Sequence, residues 1–103
     1  MTSLSIGPSD YVIICEGVSA REFDGEWIVL DLQGGNYFGL DDVGGHIWRA
    51  IGEGKSLSQI VASLRRNYDA SEIELLKDVM LFIDELVERQ LVRINRDVMD
   101  RPK

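Results

Sequence analysis

The dipeptide Asp24-Gly25 stands between two runs of strand-forming residues, Ala20 to Phe23 and Trp27 to Leu32. A two-residue connection of this kind needs positive φ at both positions, which Asp and Gly tolerate. Its twist matches that of the strands it joins, so the segment is committed to a hairpin. Gln33-Gly34-Gly35-Asn36 supplies a second turn ahead of Tyr37 to Leu40, and the three runs make an antiparallel meander. Within the middle run Ile28, Leu30 and Leu32 share one face while Trp27, Val29 and Asp31 share the other. One face is core and the other is only partly polar.

Beyond Leu40 the apolar spacing becomes helical. Asp41 or Asp42 caps a helix carrying Val43, Ile47, Trp48 and Ile51, which ends at the Gly52 to Gly54 breaker. Ser56 and Gln59 form a capping box for a second helix with Leu57, Ile60, Val61 and Leu64 on one face. Asp69 and Glu72 repeat that signature before a third helix running to about Arg89. Tyr11 to Cys15 reads as a strand without an evident pairing partner, and Leu91, Val92 and Ile94 as a short strand or docked tail. With 103 residues there is room for one domain. The expectation is an α+β fold, a three-stranded antiparallel meander followed by three helices, over residues 11–94. Residues 1–10 and 95–103 are expected to be flexible tails.

Charge narrows the function. A formal net charge of -7 gives phosphate-rich partners a repulsive average field, which disfavours nucleic acid. Val79 to Val87 is interrupted by Asp84 and Glu85 and is too short to span a bilayer, so no membrane partner is expected. The single cysteine and the lack of a signal-peptide pattern point to the cytoplasm.

An enzyme needs a constellation of groups, and the residues here are isolated. His46, the only histidine, reads as partly buried or capping, and Cys15 as a small hydrophobe. Neither offers the spacing of a metal site or of a Cys-His pair, so no catalytic residue, cofactor or metal is expected. Gly34-Gly35 and Gly44-Gly45 lack a phosphate-binding pattern and read as turn and close-packing glycines. Trp48 is assigned to the core.

The third helix carries more apolar surface than one core-facing stripe requires. Leu75, Val79, Phe82 and Leu86 form one stripe; Ile73, Leu76, Met80, Ile83 and Val87 form the other. Either the rest of the domain covers both, or one floors a groove for a partner. The run Tyr37 to Leu40 is the last strand of the meander and has neither Lys nor Pro to blunt its edge. An open edge beside an apolar helix suits strand addition, in which an extended peptide pairs its backbone with the edge and places alternate side chains in the groove.

The detail of residues 26 to 51 carries a resemblance. Trp27-Ile28-Val29-Leu30-Asp31-Leu32, the Gly34-Gly35 turn, Tyr37-Phe38-Gly39-Leu40-Asp41 and Val43-Gly44-Gly45-His46-Ile47-Trp48 resemble the central signature of PqqD-like proteins. These are the peptide recognition elements of ribosomal peptide natural-product pathways. The likeness continues to about residue 94. Its tyrosine-bearing last strand is most similar to the stand-alone leader-binding subunits of lasso-peptide leader peptidases. The family's usual asparagine after the strand leucine is Asp41 here, and both residues cap helices.

The resemblance implies a winged-helix-like fold and a non-catalytic adaptor. Such an adaptor binds the leader segment of a precursor peptide and presents it to a separate processing enzyme such as a leader peptidase. Carried over by position, the peptide-binding residues are Asn36, Tyr37, Phe38, Gly39 and Leu40 of the strand. From the helix come Leu76, Met80, Ile83 and Val87, with Asp84 beside them to meet a basic leader residue. This stripe is chosen because Val79, Phe82 and Leu86 match the family's core pattern. The alternatives are a winged-helix DNA-binding protein and a generic interaction or dimerisation module. Six acidic side chains on the third helix, against Lys77 and Arg89, oppose the DNA reading.

Overall fold

A computed structural model describes residues 10–95. The elements follow in the order β1 (Tyr11–Ile14), β2 (Val18–Phe23), β3 (Glu26–Asp31), β4 (Asn36–Leu40), α1 (Asp42–Gly52), α2 (Leu57–Asn67), α3 (Glu72–Glu88) and β5 (Val92–Asn95). This is the expected α+β arrangement, with a second, smaller sheet added.

The hairpin forms where its turn chemistry demands it. Asp24 and Gly25 adopt φ values of 51° and 83°, the left-handed pair that a primed turn requires. Strands β2, β3 and β4 lie side by side in that order, all antiparallel. Ala20, Val29 and Phe38 form one cross-strand row and Trp27 stands opposite Leu40. Those side chains face the helices; Val29 is fully buried. Among the described residues only one long side of β4 is paired, so it is an edge of the sheet.

Strand β1 finds its partner at the far end of the described chain. It pairs antiparallel with β5, Val12 opposite Ile94 and Ile14 opposite Val92. No local turn signal announces a pairing between segments so far apart in sequence. The Asp10 carbonyl accepts from Leu57 N–H at 3.0 Å and Asp10 is buried. Asp10 and Asn95 thus belong to the fold, one residue beyond the expected boundary at each end. The rest of the two expected tails lies outside the described residues.

Side chains close the helix ends. Asp41 caps α1, its Oδ1 accepting from Gly44 N–H at 2.7 Å. The Ser56–Gln59 box opens α2 as expected. The box of α3 is formed by Ser71 and Glu74 rather than Asp69 and Glu72, because a side chain only reaches donors two or three residues ahead of it and the helix begins at Glu72. At its C-terminus the Gln90 N–H donates to the Val87 carbonyl and the Leu91 N–H to the Leu86 carbonyl, both at 2.9 Å. With Gln90 at φ 63° this is a Schellman motif. It leaves Arg89 at the helix end and drives Leu91 fully into the core.

The core lies between the inner sheet face and the helices. Its fully buried residues include Ile47, Ile60, Leu64, Val79, Ile83 and Leu91, and Trp48 is buried with them. Gly45 of α1 is pressed against the Trp27 indole, leaving no room for a Cβ. That contact sets how closely α1 approaches β3.

Candidate functional site

Beside the open edge of β4 runs a groove whose far wall is α3. Its larger hollow, about 360 Å³, is lined by Tyr37, Phe38, Gly39 and Leu40 and, from α3 and its end, by Phe82, Glu85, Leu86 and Arg89. A second hollow of about 290 Å³ lies between Asp41, Val43 and Gly44 on one side and Asp78, Leu81 and Phe82 on the other. Phe82 borders both hollows, so they adjoin across its ring.

Strand alternation explains the near wall. Phe38 and Leu40 point inward and are half-buried, while Asn36, Tyr37 and Gly39 are exposed. The far wall carries the charge: the Arg89 guanidinium lies 4.5 Å from the centre of the Phe38 ring and donates to Glu85 Oε2 at 3.2 Å. Both partners are substantially exposed, so this ion pair contributes little to stability by itself. Its effect is positional, holding a cation over the aromatic floor of the groove.

Of the five expected strand residues, Tyr37, Phe38, Gly39 and Leu40 line the groove, whereas Asn36, exposed at the start of β4, lines neither hollow. The expected helical stripe does not line it either. Ile83 is fully buried in the core. Leu76, Met80, Asp84 and Val87 do not line either hollow. The reason is geometric. At roughly 100° per residue, Phe82, Glu85 and Arg89 cluster on one flank of the buried Leu75, Val79, Ile83 and Leu86 strip, and Leu76, Met80 and Val87 fall on the other. Val87 packs against the core from that second flank. Asp84 has one buried carboxylate oxygen with no hydrogen-bond partner among the described residues, and it does not line the groove.

Sequence reasoning missed Glu85 and Arg89 as groove-lining residues, because it weighed them only as charges on the third helix and read Arg89 as the helix end. A signal was present: Glu85 lies one turn and Arg89 two turns beyond Phe82, on the side of the helix away from Met80. Phe82 and Leu86, taken as core alone, both reach the groove wall.

The remaining singled-out residues have structural partners. His46 Nε2 is 2.9 Å from Ser63 Oγ, and its ring meets Tyr68 edge-on at 5.9 Å, which ties α1 to α2. The Tyr68 hydroxyl donates to Asp42 at 3.1 Å. Burial first, then this acceptor and the negative charges of Asp42 and Asp41, raise the Tyr68 phenol above its ordinary value. Cys15 is a half-buried free thiol. Among the described residues no group of three His, Cys, Asp or Glu side chains is arranged to hold a metal, and no described helix is long and apolar enough to cross a membrane.

Comparison with known proteins places these features in context. The family model described as coenzyme PQQ synthesis protein D (PqqD) matches residues 26–92. Among solved structures, TbiB1 in complex with the TbiA(beta) leader peptide is similar at 33% identity and a TM-score of 0.76, over 79% of this chain and 94% of that one. A lasso peptide synthetase B1 complexed with its leader peptide is similar at 20% identity and a TM-score of 0.74, over 80% and 96%; at that identity the likeness is one of fold. No curated protein matches the chain.

Proposed function

The chain belongs to the PqqD family, and on that premise we propose that it is a non-catalytic adaptor that binds the leader segment of a ribosomally made precursor peptide by strand addition to β4. The observation that carries the proposal is the unpaired β4 edge facing the groove walled by Phe82, Leu86 and Arg89. An extended peptide, antiparallel to Tyr37–Leu40 as in the family, pairs its backbone with the edge. Every second side chain then points into the groove. Backbone pairing gives affinity that tolerates sequence change, and the hollows around Phe38 and Phe82 select among side chains. Similarity to two leader-bound structures supports this assignment.

The adaptor's task is to hold the leader while a separate enzyme, in a lasso-type pathway a leader peptidase, processes the precursor. The DNA reading is the weaker one, since the exposed surface of α3 is dominated by Glu72, Glu74, Asp78, Glu85 and Glu88.

Calorimetric titration with the leader of the precursor encoded beside this chain tests the proposal. Saturable 1:1 binding is expected, together with faster leader cleavage when the peptidase is added and none from the adaptor alone. Absence of peptide binding, with binding to duplex DNA in its place, sinks it.

A further inference from the structure

The outer face of the sheet carries exposed apolar side chains among its polar ones. The register sets Arg21, Ile28 and Gly39 in one outward row and Ser19, Leu30 and Tyr37 in the next. Tyr37 is 74% exposed, Leu32 70% and Phe23 58%. A solvated face of an antiparallel sheet is ordinarily polar; here Ser19, Arg21 and Glu26 are its polar strand positions, and Phe23, Ile28, Leu30 and Tyr37 are apolar or aromatic beside Gly39. At its Leu40 end a shallow hollow of about 490 Å³ is lined by Glu26, Ile28, Tyr37, Gly39, Asp41 and Asp42. Nothing lies within 4 Å of where a Gly39 side chain would begin, so the backbone is bare there.

From this face we propose a docking surface for the processing enzyme, which inserts an apolar side chain flanked by Lys or Arg. Three observations select that occupant. The surface is apolar at its centre, and its rim is acidic at Glu26, Asp41 and Asp42, none of which joins an ion pair among the described residues. A second copy brings the same three rim carboxylates against the single Arg21 of the outward rows, so like charges outnumber opposite ones across such a contact. Third, the face is continuous with the peptide site: a strand added to β4 extends this sheet, and its side chains that do not enter the groove stand outward beside Tyr37 and Gly39. The enzyme thus meets a composite of adaptor and bound leader, which couples docking to cargo.

The inference rests on strand addition to β4, and its test separates the two. Leu30→Glu and Glu26→Lys alter the outer face at positions that do not themselves line the groove, Leu30 neighbouring it only through its outward partner Tyr37. Leader affinity is measured by titration with the precursor leader alone, and peptidase affinity by sedimentation with the leader-loaded adaptor. The expected result is leader affinity within about twofold of the parent for both variants. Peptidase affinity falls about tenfold or more for Leu30→Glu and about threefold for Glu26→Lys, the latter loss shrinking at high salt. The parent adaptor also binds peptidase about tenfold more tightly with leader than without it. Unchanged peptidase affinity in both variants overturns the docking surface while strand addition stands. Loss of a parent adaptor dimer in either variant overturns it in favour of self-association. A parent that binds no leader fails the underlying reading instead.

Discussion

The flank of α3 that faces β4 carries Phe82, Glu85 and Arg89, whereas the opposite flank carries Leu76, Met80 and Val87. By composition the second is the better candidate for an apolar binding stripe. By position only the first borders the open strand. The buried strip of Leu75, Val79, Ile83 and Leu86 divides them, with Phe82 and Val87 packed partly against the core on either side, while Ile73, Leu76 and Leu81 stay exposed. A peptide groove in a small domain is defined by which flank lies next to an unpaired backbone edge, and charged residues are compatible with it when their stems and aromatic neighbours form the wall.

The largest effect that sharpens this contrast concerns the divider. Ile83→Ala leaves a cavity in a fully buried site and is expected to cost about 3 kcal/mol in urea unfolding, and Ile83→Glu to abolish folding as judged by amide dispersion. A folded Ile83→Glu protein with impaired leader binding moves Ile83 into the groove. Next in size is a comparison of the flanks: Phe82→Ala weakens leader binding about tenfold, while Met80→Glu changes it less than about twofold. A greater loss from Met80→Glu reverses the assignment.

Much of this arrangement is legible in the sequence. The hairpin follows from Asp24-Gly25 because few residue pairs accept two successive positive φ values, and the second helix from its Ser56–Gln59 box. The edge status of β4 follows from meander topology. The pairing of β1 with β5 is not legible, since it depends on packing between chain ends instead of a local turn. Nor is the choice of flank, which is set by how α3 docks over the sheet. That docking depends on fixed contacts such as Leu91 beneath the helix end and Trp27 against Gly45, and periodicity within α3 carries no information about them.

Smaller effects test how the helix end holds Arg89 over Phe38. Gln90 occupies a left-handed conformation at φ 63°, so Gln90→Gly is expected to raise stability by about 1 kcal/mol in urea unfolding with leader affinity preserved. A loss of stability assigns the Gln90 side chain a contact of its own. The smallest effect is alkaline. Because the folded state raises the Tyr68 phenol, first by burial and then through Asp42, its stabilising contribution is complete below the unfolded value of about 10 and fades as pH climbs through the folded one. Tyr68→Phe removes that dependence, so its stability declines less steeply above about pH 10 than that of the parent. Parallel decline in both proteins contradicts the linkage.

The central claim, that the leader adds to β4 and lies against the Phe82–Arg89 flank, is tested most directly by backbone amide shifts during leader titration. The account predicts large changes at residues 36–40 and around Phe82, Glu85 and Arg89, with Leu76, Met80 and Asp84 nearly silent. Changes centred on Leu76 and Met80, or a β4 that stays unperturbed at saturation, contradict it.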